Sequence, residues 1–257
     1  PFSVYTRVLE TWIEGRKVFD LADPRQRLYQ EGGFMVQQTR RLPASRPLVK
    51  ARPVVPTPAA RDKAAPVTPQ IKSFLVLAGR LHPVSGPPIE DAAVLVRGGR
   101  IAAVGRRVDV KAPGNIPVVR ASVVTPGLID AHSVVPLSGE YNIPADQDQD
   151  EKSDPNQAEV RVLDGFNPSE PLLRFLLQQG VTVIHATPGR ANVIGGLSGL
   201  FRTHGGDAEA MTVRFPQAVL FNLGVSPKQA YAEGKPTTRM GTASMIRAAL
   251  AQAADYA

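Results

Sequence analysis

The residues with chemistry to offer are few and lie far apart in the sequence. His132 and His185 each close an apolar, strand-like run, Gly127 to Val135 and Val181 to Ala186. An imidazole in such a place can ligate a divalent ion or hydrogen-bond a substrate. His82 and His204 sit in Leu-His-Pro and Thr-His-Gly contexts and read as surface turn residues. Asp146, Asp148, Asp150 and Asp154 imitate the opening of a calcium loop, but Glu151 stands where glycine is needed and Gln157 where a bidentate glutamate belongs. Gly195, Gly196 and Gly199 lack the Lys-Ser/Thr of a phosphate loop and the full dinucleotide fingerprint, so backbone flexibility is the expected reason for them. Cysteine is absent, which excludes disulfides, thiolate metal sites and thiol nucleophiles and leaves the compartment undetermined.

The elements that must position these residues change character along the chain. Val8 to Phe19 reads as a hairpin turning at Glu14 and Gly15, with Trp12, Ile13, Val18 and Phe19 as its apolar residues. A lone hairpin is marginal in water, so it must dock. Phe74–Leu81, Ala92–Val96 and Ile101–Val104 read as strands, the last two joined through Gly98 and Gly99, and Val118–Val124 adds a fourth; an antiparallel sheet or small β-sandwich is expected. From Thr125 strand and helix alternate, which predicts about three βα units with parallel strands. Asn167 is the expected helix N-cap, with Pro168 at the first helical position and Gly180 at the end. Met211 to Leu223 holds a further strand and Thr242 to Ala254 a helix.

Charge separates one segment from the rest. Between Met35 and Lys72 eight basic residues face the single acid Asp62, so the net charge of +7 resides there and the remainder is formally neutral. Seven prolines in the same stretch disfavour helix and central strand, and it reads as a semi-rigid linker. It carries no aromatic side chains between Met35 and Lys72 on which bases would stack, so nucleic acid is not an expected partner. No apolar run approaches the roughly 20 residues of a membrane-spanning helix, and no membrane partner is expected.

The run Val124-Thr-Pro-Gly-Leu-Ile-Asp-Ala-His132, preceded by the hairpin from Val94 to Gly105, closely resembles the opening of an amidohydrolase. Thr6 to Phe19 resembles the closing hairpin of imidazolonepropionase-like members, which follows a barrel. The resemblance implies a tandem arrangement: residues 1–34 as the tail of one unit, 35–72 as linker, 73–124 as part of a β-sandwich, and 125–257 as the amino-terminal part of a barrel. The implied fold class is α/β plus β, a small β-sandwich followed by an incomplete (β/α)8 TIM-type barrel. The gene product is expected to continue beyond Ala257.

In that family a divalent metal, commonly zinc, activates water at the barrel mouth, held first by a His-x-His pair. The resemblance places His132 at the first metal position and Val134 at the second, where a valine cannot ligate. It places His185 at the mouth as a substrate contact or shaping residue, and the Asp146 to Asp154 loop above it as a polar lid. No catalytic residue is assigned, and zinc binding by this chain alone is doubtful for want of ligands. The implied function is hydrolysis of non-peptide carbon–nitrogen bonds in a small amide or cyclic amide, with the remainder of the polypeptide as partner. The alternative is a degenerate, non-catalytic barrel serving as scaffold or ligand-binding partner.

Overall fold

The computed structural model describes residues 7–23, 26, 72–139, 141 and 143–256. Apart from Lys72, the basic Pro-rich segment falls outside them. The chain divides into two units, Trp12–Pro126 and Gly127–Ala257 with the residues up to Thr11. No helix among the described residues is long and apolar enough to cross a membrane.

The hairpin strands β1 (Glu10–Ile13), which spans the boundary at Thr11, and β2 (Arg16–Asp20), in the first unit, turn through Glu14 and Gly15 at φ 50° and 76°. Two successive positive φ values match the strands' own twist, which is why this dipeptide marks the turn. The same device joins β4 (Ile89–Arg97) to β5 (Arg100–Arg106), through Gly98 and Gly99 at 58° and 77°. With β3 (Phe74–Leu81) and β6 (Val118–Val124) they form one four-stranded sheet in the order β5-β4-β3-β6. The sheet is mixed rather than antiparallel, because β6 runs parallel to β3, pairing Leu75 with Val118 and Leu81 with Val124. The hairpin is a separate two-stranded sheet, and Trp12 meets β3 through its ring, stacked 5.3 Å from Phe74. His82 is half-buried rather than a surface turn residue, since its N–H donates to Val124 O at 2.9 Å and extends the β3–β6 ladder.

The second unit holds β7 (Leu128–Ser133), β8 (Val181–Ala186), β9 (Ile194–Arg202) and β10 (Thr212–Phe221) in the sheet order β10-β9-β8-β7. Only β7 and β8 are parallel; β8–β9 and β9–β10 are antiparallel. The succession of parallel βα units is thus limited to one. The Thr187–Val193 connection is too short for the crossover of a dozen or more residues that a parallel return requires. Strand β7 is exposed rather than buried, with Leu128 46% and Ile129 67% accessible, because it is an edge of this sheet.

Between β7 and β8 lie α1 (Val162–Gly165) and α2 (Pro171–Gln178). Helix α2 starts later than the sequence suggests: Glu170, not Asn167, caps it, its carboxylate accepting from Leu172 N at 3.3 Å, with Pro171 at the first position. Asn167 instead closes a turn by accepting from Ser169 N at 3.0 Å, a local bond that competes with helix. Gly180 ends this segment at φ 82°, as expected. Leu173, with Leu137, Val162, Phe166, Ile184, Phe201 and Met211, forms the core, where Phe166 and Phe201 lie 4.4 Å apart. Helices α3 (Ala208–Met211), α4 (Ser226–Ala230) and α5 (Arg239–Tyr256) complete the unit.

The glycines of β9 are close-approach positions rather than flexible ones. A Cβ at Gly196, whose φ is 105°, would stand 2.3 Å from Val160 O, and one at Gly199 2.7 Å from the Phe201 ring. Here residues 156–161 bridge to the start of β9, with Leu197 N donating to Val160 O at 2.7 Å. Gly196→Ala is therefore expected to cost about 2–4 kcal/mol of unfolding free energy through strain and clash. Gly206→Ala, facing open space, should change it by less than about 0.5 kcal/mol. Urea denaturation of both variants checks the contrast.

Candidate functional site

Strand alternation sets the site. Ile184 and Ala186 point into the core, so His185 between them faces the other side of the sheet. Its Nδ1 lies 3.1 Å from Ala131 O and its Nε2 2.8 Å from Ser198 Oγ. A carbonyl only accepts, so Nδ1 carries the proton in this arrangement. The single Ser198 hydroxyl hydrogen then has two acceptors in reach, His185 Nε2 and Ala218 O at 3.0 Å. One imidazole and one hydroxyl thereby connect β7, β8, β9 and β10. Both ring nitrogens of His185 meet protein partners, one a backbone carbonyl and one a side-chain hydroxyl, so the ring shapes this face.

His132 is exposed at the carboxyl end of β7, and its N–H donates to Asp130 Oδ1 at 3.1 Å. Its ring edge lies 3.3 Å from the hydroxyl of buried Thr187, whose own N–H donates to Ser133 O at 2.9 Å. Among the described residues no three His, Asp or Glu side chains gather where they could hold a metal ion. Val134, two residues on, carries no donor, so the donor set at His132 does not fit a catalytic metal.

The Asp146–Gln157 loop does not form a calcium cage, because its carboxylates turn to different backbone donors. Asp146 accepts from Tyr141 N and Ile143 N, Asp150 from Ala191 N at 2.7 Å, and Asp154 from Asn156 N at 2.8 Å. The loop borders a polar groove of about 420 Å³, also lined by Arg161, Asp164 and Pro188. On its rim Arg161 and Asp164 form a two-pronged ion pair, which holds the Asp164 carboxyl below the usual carboxylate range.

Residues that the sequence left unmarked tie this loop down. The amide nitrogen of Asn192, 1% accessible, has three acceptors within hydrogen-bond reach of its two hydrogens, Glu151 O, Asp154 O at 3.0 Å and Tyr231 Oη at 2.9 Å. Asn222 donates to Gly189 O at 3.2 Å and Asn192 O at 2.9 Å. Asn192 lies in the Pro188-Gly-Arg-Ala-Asn-Val-Ile194 run, a signal for the segment but not for the residue; nothing local to Tyr231 marks it.

No protein-family model matches the sequence, and neither does any curated protein compared with it. Among solved structures, an amidohydrolase from Thermotoga maritima aligns with a TM-score of 0.66 and 31% identity, over 71% of this chain and 48% of that one. The chain is an amidohydrolase-superfamily relative. It spans about half the length of the Thermotoga protein. The Aspergillus niger ochratoxinase aligns over 29% of this chain and 18% of its own, at 28% identity and TM-score 0.25. An adenosine deaminase from Xanthomonas campestris, solved with bound zinc, aligns over 44% and 28%, at 18% identity and TM-score 0.25. Neither of these two scores bears on the fold of this superfamily relative.

Burial first, and then the carboxylates of Asp154, Asp150 and Glu151, push the Tyr231 hydroxyl above its usual pKa. The stability this gives is complete below the unfolded value, about 10, and is lost as pH climbs through the raised folded value. In urea titrations between pH 8 and 11.5, the stability margin of the wild type over Tyr231→Phe should shrink above about pH 10. A margin that stays constant or widens would contradict the assignment.

Proposed function

We propose that this chain supplies a β-sandwich part and the early strands of a (β/α)8 barrel in a hydrolase lineage that acts on non-peptide carbon–nitrogen bonds of small amides or cyclic amides. The observation that carries this is the 31% identity with the Thermotoga amidohydrolase at a TM-score of 0.66. The order of β-sheet unit, Pro126-Gly127 entry and strand β7 ending at His132 supports it. In this reading residues 1–34 are the tail of a preceding unit, 35–72 a linker, and the remaining barrel strands belong to other parts of the polypeptide. A divalent metal, in the family commonly zinc, would supply an activated water. This chain's own contribution is positional, with His185 and Ser198 holding the strand ends that border the mouth. The chain by itself is inactive in this proposal, because one imidazole at His132 does not hold such an ion.

A second reading is favoured by a specific residue. Val134 stands where the second imidazole of the pair is expected, and a unit without it serves as a scaffold or ligand-binding partner rather than a catalyst. Metal analysis and amide-hydrolysis assays of the full-length protein, with and without Val134→His, separate the two. The hydrolase reading predicts stoichiometric zinc and turnover in the unsubstituted protein. The scaffold reading predicts neither from this unit, with Val134→His raising zinc affinity about tenfold or more as a second ligand is restored. Full metal binding and turnover by the isolated 257-residue chain would contradict both.

A further inference from the structure

Loop 146–157 borders the polar groove and is fastened to the Pro188–Val193 segment by bonds between residues some forty positions apart. Gly189 N–H donates to Gln149 O at 2.7 Å and Ala191 N–H to Asp150 Oδ1 at 2.7 Å. Beyond them the carbonyls of Glu151 and Asp154 both turn toward the Asn192 amide and the Tyr231 hydroxyl. The hydrogens and acceptors there balance. The two hydrogens of Asn192 Nδ2 and the one of Tyr231 Oη serve Glu151 O, Asp154 O and Tyr231 Oη itself. Removing the Tyr231 hydroxyl takes away one donor and one acceptor and leaves two carbonyls to the Asn192 amide alone.

We propose that Asn192 and Tyr231 form a latch that sets how often loop 146–157 lifts from the groove. Asn192 is buried and held from behind by Asn222, which makes it the fixed side of the latch. Tyr231 is the other side. It follows the short helix α4, half-buried at the loop's far edge. The loop carries its own reporter, because Lys152 is exposed and is followed by Ser153, a bond that trypsin cuts faster when the surrounding backbone opens. The proposal concerns the movement of the loop and holds whether the unit is a hydrolase or a scaffold.

Hydrogen exchange and timed trypsin digestion of the 257-residue chain, wild type against Tyr231→Phe, test it. Loss of one net hydrogen bond is expected to speed exchange at Gly189 and Ala191, and cleavage after Lys152, by about fivefold. Exchange of the β8–β9 ladder amides should stay the same. Asn192→Asp, similar in size but with an acceptor facing two carbonyls, should give a larger change at the same reporters. Equal rates in wild type and Tyr231→Phe would overturn the latch, and so would an increase shared equally by the β8–β9 amides, which would mean global destabilisation. If Asn192→Asp does not fold, Tyr231→Phe alone decides, since it keeps the ring and its packing.

Discussion

The contact on which the second unit depends is the His185 ring set across the sheet, with Ala131 O on one side and Ser198 Oγ on the other. Ser198 is 1% accessible and reaches on to Ala218 O, so a short polar chain crosses all four strands. The β7–β8 register shifts between Asp130 and Ser133, and β9–β10 shifts between Arg214 and Ala218. Side-chain bonds stabilise the places where the ladder is interrupted. A buried polar group left without its partner costs more than the bond contributes when made, so these residues specify one arrangement of strands rather than merely strengthening it.

The same economy governs the groups with chemical potential. A histidine whose two ring nitrogens both have protein partners, as in His185, can bind an ion only by giving one of them up. Asp146, Asp150 and Asp154 each accept backbone N–H groups, and Asn192 and Asn222 fasten the segment that follows β8. The carboxyl end of the β7–β8 pair is thus an ordered polar surface with a groove, held by bonds between side chains and backbone, while the buried Gln149 Oε1 and Asn156 Oδ1 of the same loop have no partner among the described residues. Relationship to the amidohydrolases and lack of a local metal donor set are compatible, since a family's scaffold persists independently of the side chains placed on it.

Sequence reading succeeded where the governing physics is local. Glu14-Gly15 and Gly98-Gly99 marked hairpins because successive positive φ values are a property of the turn residues themselves. The bounds of β8 and the stop at Gly180 follow from an apolar run and a left-handed residue. It failed where partners are distant. An apolar run does not state its direction, so the antiparallel return of β9 and β10 and the parallel placing of β6 were not legible. The start of α2 was misplaced by three residues because Asn167-Pro168 and Glu170-Pro171 carry similar starting signals, and only packing chooses between them. Gly196 looked like slack until Val160 O was found against it. The imidazole of His132 was found by its place in a motif, whereas Asn192 and Tyr231 became visible only once the fold brought them together.

Both ring nitrogens of His185 are committed to protein partners, Nδ1 to Ala131 O and Nε2 to Ser198 Oγ, so the ring is not an open ligand. Long-range proton–nitrogen correlation of its ring, recorded with and without zinc, tests this most directly. The structure predicts a protonated Nδ1 bonded to Ala131 O and ring nitrogen shifts that zinc leaves unchanged. An unprotonated Nδ1, or a zinc-induced shift of either nitrogen, would contradict it.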